Sequence, residues 1–106
     1  MVKEILTLAG FEEGKTFKET RFLKPPKTTY VVYMDSFTSR GSDDQHLIKE
    51  HSCTIELYSY AADRVAEERL EQVLDTHVLE YTKQDRYWLQ SEQLYQVIYE
   101  FDYIEK

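Results

Sequence analysis

Residues Leu94 to Ile104 alternate without interruption, and no other stretch restricts the fold as tightly. Tyr95, Val97, Tyr99, Phe101 and Tyr103 fall on one side of an extended chain. Leu94, Gln96, Ile98, Glu100, Asp102 and Ile104 fall on the other. A period of two held this long predicts a β-strand, since a helix repeats every 3.6 residues. One face is aromatic and rich in tyrosine, whereas the other mixes acids with aliphatics. Tyrosine joins a large apolar ring to a polar tip, which suits half-wetted surfaces where proteins meet. The plain reading is a core strand whose hydroxyls reach solvent. Across the chain, the tyrosines point to assembly more than to catalysis.

Upstream, Val2, Ile5, Leu6 and Ala9 recur on one helical face, and Gly10 can close that helix in a left-handed cap. Glu12 to Lys27 is polar, with Lys15, Lys18, Arg21, Lys24 and Lys27 at intervals of three, interrupted by Phe17, Phe22 and Leu23. Pro25–Pro26 forbids helix there and imposes an extended approach. Thr28 to Phe37 is β-branched and aromatic and predicts a strand. Ser36 to Gln45 has the composition of a loop, and His46 to Tyr60 predicts a second strand, with Cys53, Ile55 and Leu57 opposite Thr54, Glu56 and Tyr58. Asp63 is a natural N-cap for a helix reaching His77, with Ala62, Ala66, Leu70, Val73 and His77 near one stripe, joined by Leu74, and Glu67, Glu68, Glu71 and Asp75 toward water. Leu79 to Gln90 is a weaker strand region that Lys83 to Arg86 bends or turns. The order αββαββ predicts an α+β, two-layer sandwich, with a mostly antiparallel or mixed sheet and two helices packed on one face. With no repeat and no long linker, residues 1–106 read as a single domain.

Charge is unevenly placed. Residues 1–50 hold eight Lys/Arg and eight Asp/Glu, so residues 51–106, with five against twelve, carry the whole net charge of −7. An acidic half opposes nonspecific binding of nucleic acid. The strip from Lys15 to Lys27 is the local exception: a solvated loop on the plain reading, a contact for phosphates or an acidic protein surface on the functional one. The lone Cys53 excludes an internal disulfide and suits a reducing compartment. Met1 to Phe11 carries Glu4 and lacks the apolar core of a signal peptide, and no window reaches membrane-span length.

Chemistry finds little purchase. Asp43, Asp44, His46 and His51 are the only cluster with ligating side chains, and their spacing matches no zinc pattern. Ser52 or Cys53 beside His51 would be the one nucleophile–base candidate, but neighbouring strand residues point to opposite faces. Scattered carboxylates such as Glu56, Glu80, Glu92 and Glu100 read as a solvated face, and three glycines cannot build a phosphate cradle. The expectation is therefore no catalytic residue, no metal and no cofactor.

Several segments together resemble a family. They are the helix ending in Ala9–Gly10, Pro26 before Thr29-Tyr30-Val31-Val32-Tyr33, Gly41-Ser42-Asp43-Asp44, and Thr54-Ile55-Glu56-Leu57-Tyr58. Beyond the acidic helix come Tyr81, Glu92, and Leu94-Tyr95 leading into Tyr99-Glu100-Phe101. The chain resembles the small head–tail joining, tail-completion or tail-terminator proteins of phages and prophages of Gram-positive bacteria. That resemblance implies a non-enzymatic virion component. Terminators of the lambda type share a helix-and-sheet sandwich and form hexameric rings that meet head-connector and tail-tube proteins. It implies assembly in the host bacterial cytoplasm, then residence in the virion, with no specific nucleic-acid contact and no membrane. Local chemistry supplies the expected interface: Lys15, Lys18, Arg21, Lys24 and Lys27 on the strip, Phe37 and Arg40 at the loop, and the aromatics Tyr58, Tyr60 and Trp88. The alternative is a small acidic protein that mimics DNA.

Overall fold

The computed structural model describes residues 1–40 and 48–105, apart from the side chain of Arg40. Helix α1 (Val2–Leu8) buries Val2, Ile5 and Leu6. Gly10 adopts φ +99°, a conformation that disfavours any side chain, and closes the helix. Its N–H donates to the Thr7 carbonyl and that of Phe11 to the Leu6 carbonyl, both at 3.0 Å. The paired closure satisfies carbonyls that a helix end leaves orphaned and turns Phe11 back into the core.

Strand β1 (Phe17–Glu19) lies within the polar run where composition predicts no element. Phe17, 1% exposed, anchors it, and the flanking backbone holds it: Val31 N–H donates to the Thr16 carbonyl and Thr20 N–H to the Tyr33 carbonyl, each at 2.8 Å. Then come β2 (Tyr30–Arg40), β3 (Ile48–Ser59), α2 (Arg64–His77), β4 (Thr82–Lys83), β5 (Tyr87–Leu89) and β6 (Leu94–Glu105). The expected order αββαββ is thus corrected to αβββαβββ. An extra strand forms around Phe17, and the Leu79–Gln90 region divides into two short strands separated by Gln84 to Arg86.

The sheet runs β1-β2-β3-β6-β4, with β5 also on β6. Among the described strand pairs only β1–β2 is parallel, so the sheet is mixed and mostly antiparallel. Register sets Val31, Leu57 and Val97 in one row, Tyr33, Ile55 and Tyr99 in the next, then Asp35, Cys53 and Phe101. The apolar members of these rows form a single cluster with Ile5 and Leu6 of α1 and Ala66, Leu70 and Leu74 of α2. Asp63 caps α2 as expected, its side chain accepting from Ala66 N–H at 3.0 Å. Ala62 lies outside the helix and His77 is exposed, so neither joins the stripe.

Ser36 to Arg40 was expected to open a loop; instead it extends β2, paired residue for residue with Ile48 to Ser52. Cross-strand contacts override local composition there: Phe37 lies 5.3 Å from the His51 ring, and Lys49 Nζ sits 5.1 Å above Phe37. Among the described residues, no helix is long and apolar enough to cross a membrane.

Candidate functional site

Among the described residues, three groups of polar and aromatic side chains border the apolar cluster. The first continues the core-facing rows past the helices, where Phe37, His51 and Tyr103 align, then Ser39, Lys49 and Glu105. His51 Nδ1 lies 2.7 Å from Asp35 Oδ1 and Nε2 lies 2.8 Å from Glu105 Oε1. The Tyr103 ring stacks on the imidazole at 4.3 Å, and its hydroxyl donates to Asp35 Oδ2 at 3.2 Å. Both ring nitrogens can donate only when the imidazole is charged, and the Asp35 hydrogen bond, ahead of that to Glu105, raises the His51 pKa. A ring engaged at both nitrogens has no free position from which to take a proton. Beside it, burial pushes the Cys53 thiol up to about 12, so it stays protonated near neutrality. This cluster clamps three strands.

The second group joins α2 to the β4–β5 segment. Glu67 was expected to face water; at 2% exposure it is buried instead. Its carboxylate accepts from Arg86 Nε at 3.1 Å and Nη2 at 2.9 Å, and from Lys83 Nζ at 3.2 Å. Lys83 also pairs with Glu71 at 2.7 Å, and Glu71 accepts from the Tyr99 hydroxyl at 2.7 Å. Burial, then the Glu71 bond, drives the Tyr99 pKa far upward, so it remains a neutral donor. The segment after α2 supplies the two cations, which is why a helix-period reading alone misplaces Glu67.

The third group lies near the start of β2, on the sheet face opposite Val31 and Tyr33. Tyr30 and Tyr58 stack at 5.2 Å, and Phe22 meets Tyr30 edge-on at 5.5 Å. Tyr58 donates to Glu56 and accepts from Gln96, at 2.8 and 2.9 Å. Phe22, Tyr30, Glu56 and Tyr58, together with Arg21 and Glu92, line a cavity of about 340 Å³. Tyr60, exposed, donates to the Pro26 carbonyl at 3.1 Å and fastens the Pro25–Pro26 approach.

The expected interface residues therefore do not form one patch. Lys15, Lys18, Arg21, Lys24 and Lys27 are all exposed. Lys15 pairs with Glu12 at 3.6 Å, while the other four have no acidic partner among the described residues. Tyr58 and Tyr60 share their end of the sheet, and Trp88 packs edge-on against Tyr95 at 4.8 Å nearby. Phe37 sits at the opposite end, about seven residues or ~23 Å along the strands from Tyr58. The side chain of Arg40, and with it Asp43, Asp44 and His46 of the weighed metal cluster, lies outside the described residues. Among the described residues, no group of three or more His, Cys, Asp or Glu is placed to hold a metal. The sequence reading missed Asp35, Tyr103 and Glu105 as partners of His51. Strand geometry sets Asp35 and Phe37 on the side of Tyr33, and register brings His51 and Tyr103 beside them.

No family model matches the chain, and no curated protein does. Among solved structures it is similar to a chain of the virion of a native gene transfer agent particle, with a TM-score of 0.55 and 14% identity, covering 92% of this chain and 81% of that one. The two chains share a fold.

Proposed function

We propose that this chain is a non-enzymatic virion structural protein of a phage or prophage, one subunit of a hexameric ring at the head–tail junction or tail terminus. The observation that carries this reading is the fold likeness to a chain of a gene transfer agent virion over 92% of the present chain. A subunit of such a particle needs docking surfaces rather than a reactive centre. The chain offers such surfaces: cations on the β1 side that have no acidic partner among the described residues, and exposed aromatics at both ends of the sheet. The shared cluster of α1, α2 and one sheet face also suits the two-layer sandwich of tail terminators. Its partners on this reading are further copies of itself, then head-connector and tail-tube proteins. It would act first in the host cytoplasm and afterwards in the virion. The mimic of DNA is disfavoured because Lys18, Arg21, Lys24 and Lys27 interrupt any continuous acidic surface.

Light scattering and negative-stain imaging of the purified protein, alone and co-expressed with head-connector and tail-tube proteins, test the reading. Rings are the expected result. A monomer in every combination refutes it.

A further inference from the structure

The outer edge of β6 is covered for only part of its length. Strand β4 meets it at Tyr99 and Glu100, and Gln84 N–H donates to the Ile98 carbonyl at 2.9 Å. Outward-pointing backbone groups recur at every second residue of an antiparallel strand. After Ile98 and Glu100 the next are those of Asp102 and Ile104, and no strand pairs with them among the described residues. Natural edges are usually blunted by charged side chains, lysine above all, by proline or by a bulge. Phe101 to Glu105 has no lysine, proline or bulge, and its only charges are the carboxylates Asp102 and Glu105, which would attract a basic strand rather than repel it.

Two hollows flank this bare edge. One, of about 700 Å³, is lined by Leu79, Glu80, Tyr81, Glu100, Phe101 and Asp102. The other, of about 640 Å³, reaches Leu79, Tyr103 and Ile104. Leu79 is wholly exposed at 106%, and Ile104 is exposed too. The notch therefore combines free main-chain donors and acceptors, apolar walls and the carboxylates Glu80, Glu100 and Asp102. That is the chemistry of a groove for an extended, basic and apolar segment.

The chain carries a basic and apolar segment at the other edge of its own sheet. Thr20 to Thr28 reads Thr-Arg-Phe-Leu-Lys-Pro-Pro-Lys-Thr and lies outside any helix or strand; it bends at Leu23–Lys24 and Lys27–Thr28, and Pro25–Pro26 keep it from coiling into a helix. Leu23 is 81% exposed, and Arg21, Lys24 and Lys27 have no acidic partner among the described residues. We propose that the Arg21–Lys27 segment of one copy docks in the notch beside β6 of the next, pairing its backbone with Asp102 and Ile104 and setting its cations against Glu80, Glu100 and Asp102. The two surfaces are distinct, so the contact is heterologous, and such contacts close into rings when the rotation permits. This inference rests on the ring reading and names its seam.

Two variants test it. Ile104→Pro removes an outward N–H while leaving the β3 ladder, and Leu23→Asp with Lys24→Glu spoils the inserted segment. Circular dichroism should show both folded, and each alone should lose the ring. Mixed together they should form a dimer through the one intact notch-and-segment pair, read by light scattering. Rings from the wild type and from both variants alike overturn the seam and leave the ring reading standing. For a wild type that stays monomeric, a synthetic peptide of residues 20–28 decides separately. Slower amide exchange at Asp102 and Ile104 on adding peptide upholds the notch, and unchanged exchange overturns it.

Discussion

Removing Arg86 should unseat a buried charge. Glu67 is nearly inaccessible and takes its hydrogen bonds from Arg86 through two nitrogens and from Lys83 through one. Breaking a buried ion pair from one side typically loses about 3–5 kcal/mol, because the stranded charge keeps its desolvation penalty. Lys83 remains at 3.2 Å but is itself partly solvated, so it offsets only a fraction. Arg86→Ala should therefore destabilise the fold by about 2–4 kcal/mol, against a total of about 5–15 kcal/mol for a domain of this size. In urea, with a slope of about 1–3 kcal/mol per molar, the midpoint should fall by about 1–2 M. Placing Arg86→Ala on a Glu67→Leu background separates the charge effect from lost packing, since an apolar residue there needs no cation. The loss should then shrink to less than about 1 kcal/mol. An equal loss on both backgrounds would falsify the ion-pair account.

Leu70 is fully enclosed between α2 and the sheet, so Leu70→Ala should lower stability by about 2–5 kcal/mol, and a near-neutral urea midpoint would sink the packing assignment. The carboxylates around His51 raise its pKa above the ordinary 6.5, so its stabilisation is complete below that pH and is lost as pH rises through the raised value. The melting temperature should fall across that window in the wild type and stay flatter in His51→Gln; an NMR titration at or below 6.5 would contradict the clamp. Reversing Lys18 and Arg21 to Glu should leave the monomer folded but impair self-association, most visibly at low salt, because exposed charges steer encounter more than they stabilise contacts. Identical oligomers from wild type and variant would reduce the strip to a solvated loop.

Where one face of an element meets the core, the sequence was readable. The alternation of Leu94 to Ile104 became β6, and Asp63 with Leu70 and Leu74 marked α2 closely. Phe17 was harder, because a single aromatic among lysines carries no period, and only its parallel partner β2 makes it a strand. Glu67 was misjudged for a related reason: its spacing says solvent, and its burial depends on cations brought back by a segment nearly twenty residues later. The His51 cluster was hidden in register. Asp35, His51 and Glu105 are separated along the chain by intervals that mean nothing until β3 lies between β2 and β6.

That central seat of β3's second partner has a consequence for synthesis. Strand β6 comes after every other described element, yet both β4 and β5 pair only with it. Until Leu94 to Glu105 has left the ribosome, β3 offers a full-length bare margin, and the residues between α2 and β6 have nowhere to pair. Closure of the sheet must wait for long-range docking, which is slow and leaves the nascent chain sticky. A chain stalled or truncated before Leu94 should accumulate as aggregate rather than as a smaller native domain.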